Sequence, residues 1–146
     1  MAADPFDLQR FVAAQAPVID AVRGELRRGL KTSHWMWFIF PQLAALGASA
    51  MARRYAMESV AEARAYLAHP VLGPRLLECC GLLLQLPNDD IEDILGHPDD
   101  LKLRSCLTLF MAASPGQPVF RQCLEKFYSG EPDARTVLLC WKSDGT

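Results

Sequence analysis

The chain is 146 residues long, 51% hydrophobic and 22% charged, with a formal net charge of −2 at pH 7. That length and apolar content predict one domain, residues 1–146, able to bury its own core without a disulfide or a metal, and they exclude a disordered linker. The balanced charge leaves no basic footprint for nucleic acid, and no run reaches the ~20 apolar residues that cross a membrane.

Helical spacing recurs along the whole sequence. Asp4-Pro5 offers an N-cap with proline at the first helical position, after which Leu8, Phe11 and Val12 share a face. Pro17 opens a second segment, where Ile19, Val22 and Leu26 repeat at helical spacing and Gly29 supplies the stop. Ser59 and Glu62 form a capping box. The helix they start should end near His69, because Pro70 disfavours helical geometry in the residue before it. Leu72, Leu76, Cys80 and Leu83 make another apolar stripe, closed by Pro87. Further helices should begin near Asp99, Gln117 and Asp133. Alternating strand patterns are nearly absent, so the expected fold is all-α, a single multihelical globular domain of about seven helices.

The cysteines are Cys79, Cys80, Cys106, Cys123 and Cys140, an odd number without a C-x-x-C pair. The N-terminus has no apolar run of the signal-peptide kind. A cytoplasmic protein with reduced thiols packed as small hydrophobes is the expectation.

Three stretches could carry chemistry. In the first, Lys31 to Gln42, Trp35, Trp37, Phe38 and Phe40 fall within six residues, with Gly29 before the stretch and Pro41 within it. Such a segment is either buried all round, its tryptophan nitrogens finding acceptors in the core, or it lines a cavity. Ser33, His34 and Gln42 flank it, and a His and a Ser beside an aromatic wall suit the orientation of a planar ligand stacked on Trp35 or Trp37. The second stretch runs from Asp99 to Phe110. Leu103, Leu107 and Phe110 face one way, while Lys102, Ser105 and Thr108 recur every third residue beside Arg104. That polar stripe is either a solvated face with an Asp100–Arg104 pair or a cradle for a phosphate or carboxylate.

The third stretch is Asp89, Asp90, Glu92 and Asp93. Clustered carboxylates can hold a hard cation, but the glycine and distal Glu of an EF-hand loop are missing, so a solvated acidic turn is expected. No metal and no other cofactor is expected. His69 and His97 each precede a proline, a placement that suits the start of a helix better than catalysis. The glycine-rich nucleotide motifs, G-x-S-x-G and H-E-x-x-H are all missing.

Residues Asp7 to Val12 with Ala14-Gln15, Ser33 to Gln42, Ala65 to Gly73 and Asp99 to Ser105 together resemble a family of uncharacterised bacterial proteins, the domain-of-unknown-function family numbered eighteen-ten. Some of its members carry the label calpastatin, for which this sequence gives no physical reason. The resemblance covers nearly the whole chain and departs at Cys106-Leu107, where the family pattern has Ser-Met. It implies an all-α multihelical domain and brings no reaction, cofactor or catalytic residue. An aromatic segment paired with a Lys-bearing helix is also similar, more loosely, to small helical domains acting on ADP-ribose-type N-glycosides.

The favoured function is a small-molecule site for an anionic, planar, nucleotide or ADP-ribose-like ligand. Trp35 or Trp37 would stack the ring, with Ser33, Gln42 and Ser105 beside it. Lys102 and Arg104 would hold the anionic group, and His34 would serve as general acid or base if the site is hydrolytic. The alternative is a protein-interaction module without catalysis, in which an exposed Trp35 or Trp37 is the hot spot. A third possibility makes the aromatic string pure core, with Lys102, Arg104 and His34 only satisfying caps. Enzyme status and oligomeric state stay open at this level.

Overall fold

The computed structural model describes residues 3–143 as an all-α domain. Its helices are α1 (Gln9–Gln15), α2 (Ile19–Arg28), α3 (Met36–Ile39), α4 (Ala50–Arg54), α5 (Val60–Ala68), α6 (Leu72–Leu84), α7 (Ile91–Leu95), α8 (Asp99–Ala113), α9 (Pro118–Tyr128) and α10 (Ala134–Ser143). A single 3₁₀ turn spans Ala44–Leu46, and an isolated bridge pairs Leu43 with Met57. Seven of the ten helices are those expected from periodicity. The other three, α3, α4 and α7, run four or five residues, too short for an apolar repeat to show.

Local chemistry sets most helix ends. Gly29 closes α2 in the left-handed conformation at φ 74°, which costs glycine nothing. Asp4 caps α1 from farther back than its position predicts. Its two carboxylate oxygens accept from the N–H groups of Leu8 and Gln9 at 2.7 and 3.0 Å, and Pro5 lies in a turn instead of at the first helical position. Ser59 accepts from the Glu62 N–H at 3.1 Å, as a capping box requires. The Glu62 carboxylate, though, reaches past Ser59 to the Glu58 N–H at 3.1 Å and also takes Arg10 at 3.0 Å. His69 uses Nδ1 to accept from the N–H groups of Val71 and Leu72, ahead of α6. Asp90 accepts from the N–H groups of Glu92 and Asp93, so the acidic stretch is the capped first turn of α7. Among the described residues no group of acids, histidines or cysteines has the arrangement of a metal site.

Helix α8 runs through the centre, packed on α5, α7, α9 and α10, while α6 lies against α2, α5 and α9. Where α5 turns into α6 the axes bend by 91°. Gly73 makes that corner possible, since a Cβ there would sit 2.1 Å from the Leu67 carbonyl oxygen. A continuous chain of rings, Phe38, Tyr55, Phe11, Tyr66, Phe110 and Phe120, threads the core with centroids 5.2–5.8 Å apart. Two polar groups inside this core are matched to each other: buried Gln15 donates to the Phe38 carbonyl at 2.7 Å and to the Tyr66 hydroxyl at 2.9 Å. No described helix is long and apolar enough to cross a membrane by itself.

Candidate functional site

Helix α2 buries a carboxylate. Glu25 lies on the same face as Val22 and Leu26, and its side chain is the hub of the turn that leads into the aromatic segment. Its Oε1 accepts from the Thr32 N–H (2.6 Å), the Ser33 N–H (2.9 Å) and the Trp35 indole N–H (3.1 Å), and its Oε2 from the Ser33 hydroxyl (2.5 Å). Burial by itself would raise the carboxyl. The four donors outweigh it and hold the group down at about 2, from an ordinary 4.5. Trp35 is only 1% exposed, with the Lys31 ammonium 5.2 Å from its ring centroid. Trp35 is therefore core, and the Ser33 hydroxyl donates to Glu25; neither residue lines the slit or the cleft described below.

The other tryptophan of the segment is placed differently. Trp37 is half-buried and lines a narrow slit of about 20 Å³ together with Met36, Phe40, Gln42, Ala52, Tyr55 and Lys102. On the far side of Gln42 and Lys102 opens a wider cleft of about 300 Å³, bounded by Leu46, Pro98, Leu101, Ser105, Asp133 and Arg135. Gln42 and Lys102 thus belong to both spaces. The Lys102 ammonium stands 5.8 Å from the Trp37 ring centroid and 3.5 Å from Asp99, which is also bridged to Lys31 at 3.0 Å. No side-chain partner for the Gln42 amide is found among the described residues, and Ser105 makes only a long 3.3 Å bond to the Leu101 carbonyl.

Three elements hold the cleft open. The 3₁₀ turn at Ala44–Leu46 is fixed by backbone bonds between Gln42 and Met57 and between Met57 and Ala44, both 2.9 Å. Arg135 ties the start of α10 to that turn through the Ala45 carbonyl at 3.0 Å. Thr108 accepts from the Asp133 N–H at 2.9 Å while donating to the Arg104 carbonyl at 2.8 Å, which pins the turn before α10 onto α8.

The structure brings Trp37, Gln42, Lys102 and Ser105 around one pair of cavities and leaves the remaining expected residues elsewhere. His34 is exposed and lines neither cavity. Arg104 turns away from the cleft to the Glu131 carbonyl (2.9 Å) and carboxylate (3.4 Å), over the Tyr128 ring. The five cysteines are free and buried, and burial pushes the Cys79 thiol up to about 12, so none is poised as a nucleophile. Sequence reasoning missed Asp133 and Arg135, which periodicity marks only as the beginning of a helix. It also missed Glu25, whose signal is an acid on the apolar face of α2, three residues after Val22.

The comparisons with known proteins agree with this architecture. A crystal structure of the conserved hypothetical protein Rv1873 from Mycobacterium tuberculosis superimposes with a TM-score of 0.93 at 55% identity, covering 94% of this chain and 99% of that one. No curated protein matches the chain. The model of the family described as a protein of unknown function (DUF1810) matches residues 5–140, and the chain belongs to that family.

Proposed function

We propose that this protein binds a small anionic molecule of nucleotide size in the cleft beside α8, with Lys102 as its anchor. The observation that carries this reading is the position of the Lys102 ammonium. It stands where slit and cleft meet, near the Trp37 ring and next to an amide, Gln42, that has no side-chain partner among the described residues. Arg135 supplies a second cation to the cleft lining, and Leu46, Pro98 and Leu101 offer apolar surface for a flat group. The volume of about 300 Å³ lies at the small end of ligand pockets. The slit is too narrow for a ring, so the planar part of a ligand would rest against Leu46, Pro98 and Leu101 in the cleft, with Trp37 in the adjoining slit. We propose binding without hydrolysis, because His34, the side chain expected to move a proton, lines neither cavity.

Thermal shift with AMP and ADP-ribose tests this. Saturation at about a hundred times Kd stabilises a protein by ~2.7 kcal/mol, a rise of several degrees in a domain of this size. The wild type should show that rise and Lys102→Ala should lose it. A wild type that no anionic nucleotide stabilises would contradict the proposal. A second reading, a protein-interaction module, draws on Val137, Leu138 and Trp141 of α10, which are 48%, 57% and 65% exposed. The aromatic anchor would then be Trp141, the most exposed of the three tryptophans, since Trp35 is buried and Trp37 half-buried. Sedimentation of the wild type and Trp141→Ser tests its simplest form, self-association through α10, which an unchanged monomer in both would exclude.

A further inference from the structure

The cleft wall is not uniformly cationic. Asp133 lines the same cleft as Lys102 and Arg135, a carboxylate in the very space that should receive an anion. One of its oxygens is committed: Oδ2 accepts from the Thr136 N–H at 2.9 Å and from the Thr136 hydroxyl at 2.6 Å, capping α10. Its backbone N–H is held on Thr108, so the residue has little freedom to swing away. Oδ1 takes no donor among the described residues. A negative oxygen fixed beside an anion site repels a ligand that brings only negative charge and aromatic surface. It favours one that brings O–H or N–H donors close to its anionic group.

We infer that the cleft selects a hydroxyl-bearing anion of the sugar phosphate class, with Asp133 as the specificity-determining acceptor for the hydroxyls. Lys102 and Arg135 take the phosphate, and Gln42, with both a donor and an acceptor to offer, completes the polar ring around the sugar. Arg135 uses one N–H on Ala45 and keeps the rest of its guanidinium for this purpose. The inference rests on the anion-binding reading above and adds the hydroxyl requirement to it.

Isothermal titration of the wild type with AMP and with 2′,3′-dideoxy-AMP separates the two claims. The expected result is tighter binding of AMP by about tenfold or more, because the analogue leaves a carboxylate oxygen desolvated without a donor. In Asp133→Asn the amide oxygen can keep the Thr136 cap while an NH₂ replaces the free oxygen. The AMP preference should then fall to about twofold or less. Asp133→Ser, also a good N-cap, serves as the second variant if the first loses its fold. Equal binding of the two nucleotides by the wild type overturns the hydroxyl inference alone. So does an AMP preference that survives in whichever of the two variants folds. Failure of the wild type to bind either nucleotide overturns the inference together with the anion-binding reading.

Discussion

Glu25 and Lys102 each place a full charge against a tryptophan, and the two charges are used in opposite ways. Around Glu25 both carboxylate oxygens are matched. Two backbone N–H groups, a hydroxyl and an indole N–H converge on one carboxylate, and the result is a rigid turn with nothing left to offer a ligand. Around Lys102 the polar atoms are gathered without being consumed. One ammonium shares a carboxylate with Lys31, an amide has no partner among the described residues, and a guanidinium and a carboxylate have hydrogen-bonding capacity to spare. Saturated polar clusters fix a fold, whereas gathered but unsaturated ones at a surface are where a ligand can supply the missing partners.

The sharpest way to break this contrast is to remove each charge and watch different observables. Glu25→Ala should cost about 3–5 kcal/mol of stability in urea denaturation, since it orphans a buried indole N–H and two backbone donors at once. Acid titration sharpens the same point. A carboxyl lowered to about 2 in the folded state stabilises fully above its ordinary 4.5, and that contribution drains away as pH falls from 4.5 towards 2. It amounts to roughly 3 kcal/mol, and it should be missing from the acid limb of Glu25→Gln. Lys102→Ala should lie within about 1 kcal/mol of the wild type in stability, because its ion pair with Asp99 is partly solvated. The same variant should lose the nucleotide-induced thermal shift.

Asp99→Asn probes a smaller effect in the opposite direction. Asp99 competes with any bound anion for Lys102, so neutralising it should tighten anion binding by roughly two- to fivefold in isothermal titration. His34→Ala should do least of all. An exposed side chain outside both cavities should change stability by no more than about 0.5 kcal/mol and leave nucleotide affinity as it was.

How much of this was legible in the sequence depends on the range of the interaction. Helices long enough to repeat an apolar face announced themselves, and so did local caps such as Ser59 and Gly29. Trp37, Gln42, Lys102 and Ser105 stood out as polar and aromatic residues in two unusual stretches, but periodicity has no means of saying that Trp37 and Lys102 meet across one slit. Asp133 and Arg135 were invisible for that reason: their part in the cleft comes from the packing of α10 on α8 and the Ala44–Leu46 turn, contacts that span 25 to 90 positions. Trp35 and Trp37 are two residues apart and identical in type. One is core and tied to Glu25, and the other lines the slit beside Lys102.

The indole N–H resonances offer the most direct test, because Trp35 and Trp37 report separately from the two regions. During titration of ¹⁵N-labelled protein with AMP, the Trp37 indole signal should move, since its ring lies 5.8 Å from the ammonium that anchors the ligand. The Trp35 signal, locked on Glu25, should stay in place, and Lys102→Ala should abolish the Trp37 shift. A Trp37 resonance that is unmoved at millimolar AMP, or that moves equally in Lys102→Ala, would contradict the assignment of the cleft as the ligand site.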